Sequence, residues 1–293
     1  MRLLISLIIP TYKRNRSLRN LLQSLKVVKN DIFEIIIVSQ GKNKLKNLGM
    51  KVKIIYLSRP STSHAMNVGA NIASGNILLF LDDDVTVCKE LISNHRRNFL
   101  DPKIGSTCGR VITDGQMVEP NRTDTGRITL LGKVKDGFSS TIRQEVDTVI
   151  GCNTCWRKSL YQELGGMDEQ FTGNCIRLES DLSLRAKKVG YKIVFEPTAI
   201  VEHHRAKTGG ARKSEGRLKW YFDYFSNETY FFLKHRSHIF LPICWLTKSE
   251  WALKCIFGFG REVSFQSFCT PFAGMVDGVR KYRTFLYNYD YRG

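Results

Sequence analysis

The stretch 75–85 constrains this chain more than any other. Residues Ile77, Leu78, Leu79, Phe80 and Leu81 are apolar without a break and run straight into Asp82, Asp83 and Asp84. Five consecutive apolar residues suit a strand buried on both faces, as in a sheet covered by helices. Charge at the carboxyl end of such a strand lands where open α/β sheets bind their ligands. Three adjacent carboxylates repel one another, so the turn is costly unless a cation or water offsets their charge. A solvated acidic turn closing a core strand is the competing reading at this point.

Similar runs at 3–9, 33–38 and 52–57 read as further parallel strands, with Pro10 ending the first. Ser17 is expected to cap a helix that puts Leu18, Leu21, Leu22, Leu25 and Val28 on one face. Ser61, Thr62 or Ser63 is expected to cap a second, containing Ala65, Val68 and Ile72 and closed by Gly75. Alternating strands and helices of these lengths predict a Rossmann-like, mostly parallel α/β sheet flanked by helices. A helix over 89–100, a short one capped by Ser159, and one from about Glu179 to Val189 ending at Gly190 follow. Two short strands, 192–195 and 199–201, then lead to His203. Residues 103–150 are less regular. After His204 the composition changes: 207–217 is rich in glycine and charge and reads as a mobile loop. The aromatic segments beyond it, interleaved with lysine and arginine, read equally as helices packed on the sheet or as a surface lying on an anionic bilayer.

The net charge of +18 narrows the partners. Residues 1–60 hold 13 Lys/Arg against 2 Asp/Glu, 61–204 hold 17 against 18, and 205–293 hold 15 against 7. Basic flanks around a balanced middle call for anionic partners: nucleotide phosphates, nucleic acid or an acidic membrane surface. No helix-turn-helix, zinc-finger or RRM signature accompanies the charge, so nucleic acid is not the expected partner, and a basic nucleic-acid-binding protein stands only as the non-enzyme alternative. Of the eight cysteines only Cys152 and Cys155 have metal or redox spacing, and no second pair completes a zinc site. Reduced core thiols are expected. The apolar start meets Pro10 and Lys13-Arg14 with no small-residue cleavage site, so it reads as a strand rather than a leader. No run of about 18 apolar residues is present, and the sequons at Asn121 and Asn227 are read as chance.

Five segments then resemble, in order, a family 2 glycosyltransferase of the GT-A type. Leu7-Ile8-Ile9-Pro10-Thr11-Tyr12-Lys13-Arg14 resembles the first strand and its donor-binding turn. His64-Ala65-Met66-Asn67-Val68-Gly69 is similar to the following helix, with Met66 where the family usually has Arg. Leu81-Asp82-Asp83-Asp84 resembles the Asp-x-Asp motif. Gly151-Cys152-Asn153 and Gly165-Gly166-Met167-Asp168-Glu169-Gln170-Phe171 resemble the acceptor-facing segments. Leu178-Glu179-Ser180-Asp181, with Gly190-Tyr191 and the run from Pro197 to His203, resembles the catalytic-base helix and the strand after it.

The resemblance covers residues 3–205 and implies a catalytic domain over 1–205. Its nucleotide-sugar half is about 1–100 and its acceptor half about 101–205, with a basic loop and helical extension over 206–293. It implies an inverting transfer of a hexosyl or deoxyhexosyl group from a nucleotide-diphosphate sugar to a glycan or lipid-linked glycan. Cell-surface polysaccharide synthesis at the cytoplasmic face of the membrane is the setting it suggests. Sugar transfer puts charge on the leaving diphosphate, and Mn2+ or Mg2+ on oxygen ligands can offset it. Asp84 is the best candidate to hold that cation, and the family pattern adds His203. Pro10, Thr11, Tyr12, Arg14, Gln40, Asn67, Asp82 and Asp83 are the expected donor contacts, and Asn153 and Asp168 the acceptor-facing ones. Gln40 stands where the family often has Asp, which leaves the base open. Glu179 occupies the position of the general base, and Asp181, two residues on, is the competing carboxylate. Nucleotidyl transfer is the alternative enzyme reading, although the first turn lacks the glycines of a phosphate loop.

Overall fold

The structure is a computed structural model and describes residues 2–41, 45, 51–206, 209–210, 216–257 and 264–290. In chain order its strands are β1 (Ile5–Tyr12), β2 (Glu34–Gln40), β3 (Lys53–Leu57), β4 (Ile77–Leu81), β5 (Val85–Val87) and β6 (Ile104–Thr113). They continue with β7 (Arg127–Ile128), β8 (Val134–Lys135), β9 (Gln144–Glu145), β10 (Asn153–Arg157) and β11 (Lys192–His203). The helices are α1 (Asn15–Ser24), α2 (Thr62–Ile72), α3 (Leu91–Asn98), α4 (Lys158–Glu163) and α5 (Leu178–Lys188). Beyond the sheet lie α6 (Arg217–His235), α7 (Leu241–Leu246), α8 (Ser249–Phe257) and α9 (Phe265–Asp290).

The described residues form a nine-stranded sheet in the order β3-β2-β1-β4-β10-β6-β11-β5, with β9 pairing β11, and a separate β7-β8 ribbon. β1, β2, β3 and β4 are mutually parallel, and β6 and β11 run the same way. β10 is inserted antiparallel between β4 and β6, which makes the sheet mixed. Successive residues of β1 feed different cores. Leu7 and Ile9 pack with Leu18, Leu21 and Leu22 of α1, whereas Ile8 packs with Ala65 and Ala70 of α2. Burial on both faces explains why the strands read as unbroken apolar runs.

Several local expectations change. Pro10 does not end β1: it continues opposite Val38, beyond Ile8, the last residue paired with β4, so no β4 bond is lost. Ser17 lies inside α1, whose N-cap is Arg14. Ser61 does cap α2, accepting from His64 N at 3.3 Å, but that helix ends at Ala73, and Gly75 N bonds Ser6 Oγ instead. Ser159 likewise lies inside α4 rather than capping it. The two short strands expected before His203 are one strand, β11, whose register on β6 shifts between Glu196 and Ile200, around Pro197.

Helix α6 is buried over Asp223–Leu233, and α9 lies along it. A Cβ at Gly274 or Gly278 would strike the α6 backbone at Phe222 O or Ser226 O, so the close crossing requires both glycines. The part of the extension that includes α6 therefore packs on the sheet domain.

Candidate active site

The carboxyl ends of β1, β2, β4 and β11 open on one edge of the sheet. The chain leaves β1 for β2 on one side and returns to β4 on the other. That reversal leaves a crevice, the place where open α/β sheets bind ligands. Thr11, Tyr12 and Arg14 come from the end of β1, Gln40 from β2, Asp82, Asp83 and Asp84 from β4, and His203 from β11.

The three aspartates diverge in role. Asp83 points inward, 3 % exposed, accepting from Thr11 Oγ1 at 2.6 Å and from Arg14 Nη1 at 3.1 Å. Burial pushes its carboxyl up to about 6 in spite of these donors. It braces the β1 turn and does not face a donor as expected. Asp84 takes Arg14 Nη1 at 3.1 Å, His203 Nε2 at 3.1 Å and Ala206 N at 2.8 Å. Burial would raise the Asp84 carboxyl, but His203, the Ala206 N–H and Arg14 outweigh it and hold it down at about 2. Asp82, Asp84 and His203 each offer a ligand atom, and these atoms lie within 4.8 Å of one another. Asp82, expected as a donor contact, thus joins the residues that could hold a metal ion. Two carboxylates and an imidazole at this spacing fit Mn2+ or Mg2+.

The base end of the crevice is formed by paired strand ends. Tyr12 lies opposite Gln40 in the β1–β2 register. The Tyr12 ring has Lys13 Nζ 5.1 Å from its centroid and Gly41 against its edge. Gln40 is buried and its Oε1 accepts from Ser61 N at 2.7 Å, so one of its polar atoms is committed to the protein. Most of 207–217, expected as a mobile loop, lies outside the described residues. Within it, Gly210 N reaches Tyr12 O at 3.0 Å.

Glu179 lies in the first turn of α5, against Gly151. A side chain at Gly151 would collide with Glu179 Oε1, so the glycine makes room for the carboxylate. The buried Cys152 thiol links the two halves of the site. It is pushed well up, first by burial and then by the Asp82, Asp84 and Glu179 carboxylates, all close enough to act on it. Asp181 is fully buried instead, 2.7 Å from Arg185, 2.8 Å from Lys234 and 2.8 Å from His235. Burial opposes its ionisation, but Arg185, His235 and Lys234 hold the carboxyl far below its usual range. A permanently ionised, enclosed carboxylate is a structural anchor, which leaves Glu179 as the base candidate.

Three expected contacts prove internal. Asn153 is fully buried: His95 Nε2 donates to its Oδ1 at 2.9 Å and its Nδ2 donates to Ala199 O at 3.0 Å. It holds the sheet together and faces no acceptor. Asn67 uses its whole amide as a latch. Its Oδ1 accepts from Tyr161 OH and Met167 N, both at 2.8 Å, and its Nδ2 donates to Met167 O and Glu169 Oε1, both at 2.9 Å. It fixes the 165–170 segment rather than the donor. Asp168 within that segment accepts from Tyr230 OH and Lys234 Nζ, both at 2.6 Å, and so ties it to α6.

The sequence reading missed the α6 contribution. Arg177, two residues before Glu179 and held at φ +76°, meets Glu228 of α6 at 2.8 Å, and Lys248 meets the other Glu228 oxygen at 3.0 Å. The Arg177 guanidinium also lies 5.5 Å from the Phe231 ring. The available signal was Asp223, Asn227 and Glu228 interrupting a run of aromatic residues, the mark of a buried helix with polar partners.

A mixed sheet with the Asp82, Asp84, His203 trio at its carboxyl edge defines the chain as a GT-A type fold. Solved structures with this architecture include the mannosyltransferase PcManGT from Pyrobaculum calidifontis in complex with GDP-Man and Mn2+ (TM-score 0.57, 13 % identity, 96 % of this chain and 76 % of that one). GalNAc-T7 with UDP, GalNAc and Mn2+ is another (TM-score 0.60, 15 % identity, 85 % and 58 %). Residues 6–165, more than half of the chain, match the model of glycosyl transferase family 2, and the chain belongs to that family. A poly-beta-1,6-N-acetyl-D-glucosamine synthase of Staphylococcus aureus (strain COL) is 25 % identical over 232 residues, 74 % of this chain and 53 % of the relative. The chain thus spans about half the length of that curated relative.

Proposed function

We propose that this protein is a divalent-cation-dependent, inverting glycosyltransferase that moves a hexosyl or deoxyhexosyl group from a nucleotide-diphosphate donor to a hydroxyl of a glycan or lipid-linked glycan. The observation that carries the reading is the Asp82, Asp84, His203 trio, whose ligand atoms lie within 4.8 Å of one another, with the Glu179 carboxylate near enough that it and both aspartates act on the one Cys152 thiol.

Each residue takes a role that its surroundings support. Asp82, Asp84 and His203 would hold Mn2+ or Mg2+, whose charge when bound offsets that developing on the leaving diphosphate. Arg14, braced by Asp83, adds a second positive charge at the mouth of β1. Pro10 and the Tyr12 ring, with Gln40 beside it, form the seat for the nucleoside. Glu179 takes the proton of the acceptor hydroxyl as its oxygen bonds to the anomeric carbon and the bond to the diphosphate oxygen breaks, which inverts the carbon. Thr11, Asn67, Asp83, Asn153 and Asp168 act as positioning residues.

The named structural neighbours carry GDP-Man in one case and UDP in the other, so the fold does not dictate the base. The relative named as a polysaccharide synthase supports cell-surface polymer synthesis as the setting, at the cytoplasmic face of the membrane where lipid-linked acceptors would be met. A thermal-shift panel of UDP-, GDP- and dTDP-sugars with and without Mn2+ tests the reading, because a ligand stabilises the native state it binds. One donor class should raise Tm only when the cation is present. No shift with any of them would overturn it.

A further inference from the structure

The C-terminal helices expose an apolar surface that the proposed chemistry does not use. Helix α9 has two unlike sides. Ser267, Pro271, Gly274 and Gly278 are buried, the glycines against α6, whereas Phe265, Phe268, Phe272 and Val276 recur at helical spacing on the other side, each more than half exposed. The Phe268 and Phe272 rings lie 5.8 Å apart, a continuous apolar strip rather than scattered residues. Helix α8 adds Leu253 and Phe257, and it joins α9 where Cys255 Sγ meets Ser267 O at 3.5 Å. Ile239, in the turn just before α7, and Ile243 and Leu246 on that helix are a third set of exposed apolar residues. Exposed apolar stripes on the adjoining helices α8 and α9, with a further one at α7, mark an interaction surface.

Charge decides the occupant. Residues 236–293 carry eight Lys/Arg against four Asp/Glu, and two of those acids are each paired one turn on, Glu250 with Lys254 and Asp277 with Lys281. Arg280 and Arg283 are exposed on α9 just beyond Val276. A second copy would bring another +18 against the first, whereas anionic headgroups attract both the stripe's cations and the chain as a whole. None of the described helices is long and apolar enough to cross a membrane. We propose that the exposed faces of α7, α8 and α9 seat this protein on an anionic lipid bilayer, with Phe265, Phe268 and Phe272 entering the boundary between headgroups and acyl chains. The surface gives the membrane setting of the proposed reaction a physical location, and its test needs neither donor nor acceptor.

The test is co-flotation of the full chain with phosphatidylcholine vesicles, alone or with about 30 % phosphatidylglycerol, beside a Phe265→Ser/Phe268→Ser/Phe272→Ser variant. The wild type should float with the anionic vesicles, and the variant should bind about tenfold more weakly or worse while melting at the same temperature. If the triple variant melts lower, Phe268→Ser alone makes the same comparison. A wild type that stays at the bottom of the gradient with anionic vesicles overturns the proposal. So does a variant that floats as well as the wild type, since surface charge alone would then hold the protein. A concentration-dependent dimer that the variant loses, with no flotation by either, assigns the face to a second copy and overturns it as well.

Discussion

Asp84 gathers three donors from three parts of the chain, His203, Ala206 N and Arg14. Asp84→Ala should abolish any Mn2+-dependent thermal shift by the donor, and an unchanged shift would show that the cation sits elsewhere. Glu179→Gln should keep that shift and slow transfer by about 10²- to 10⁴-fold, because the shape survives and the base does not. An active Gln variant would move the base to another group. The placement of Asp84, His203 and Glu179 was legible in the sequence because each stands at the end of a strand or the start of a helix, where the fold class fixes the neighbourhood. Asn67 and Asn153 were not. Their partners at Met167 and Ala199 lie 100 and 46 residues away, and an amide in a motif looks the same whether it faces a ligand or the core.

His95 carries a pH prediction of its own. Buried between Thr107 and Asn153, it donates from Nε2 to the Asn153 oxygen and therefore accepts from the Thr107 hydroxyl at Nδ1, the neutral tautomer. Burial lowers its pKa from 6.5 to about 4. Between those values the unfolded chain binds a proton that the folded chain refuses, so stability falls as pH drops through the window, by up to about 3 kcal/mol, and levels off below it. Asp83, pushed up to about 6, contributes the opposite slope over much of this window, so the check is a difference: the urea unfolding free energy of the wild type minus that of His95→Gln should fall by this amount from pH 7 to 4.

Among the elements, the apolar strands were readable because a run buried on both faces has one interpretation. β10 was not, since Asn153, Thr154 and Arg157 give it no apolar run, and its antiparallel place between β4 and β6 is set by tertiary pairing. Helix α6 was the larger omission. Glu228 sits between Arg177 and Lys248, all three nearly buried, and Arg177 begins the turn that carries Glu179. Glu228→Gln should leave two buried cations short of a partner and cost about 3 to 5 kcal/mol, read as a lowered unfolding midpoint in urea. A change near zero would show that water reaches these cations.

For the molecule as a whole, the charge profile called for an anionic partner but could not separate packing from surface in the C-terminal region, because aromatic and basic residues serve both. The structure divides them by helix: α6 is interior, and α7, α8 and α9 each keep an open side. Removing 239–293 would strip α9 from the α6 surface that Gly274 and Gly278 fit. Such a truncation should give a lower Tm or insoluble protein, whereas serine substitutions on the open side should leave Tm unchanged.

Arg14 spans Asp83 and Asp84 at 3.1 Å each, with His203 on the far oxygen of Asp84. The acidic turn therefore carries a counter-ion of its own in Arg14, with hydrogen bonds from His203 and Ala206 N beside it, and its repulsion is relieved by the chain itself. Chelation should accordingly leave the melting temperature of the free protein where it was, unlike domains whose metal is part of their folding. The cation would be a consumable of turnover, free to arrive and leave with each nucleotide, and the architecture would be indifferent to its coming and going.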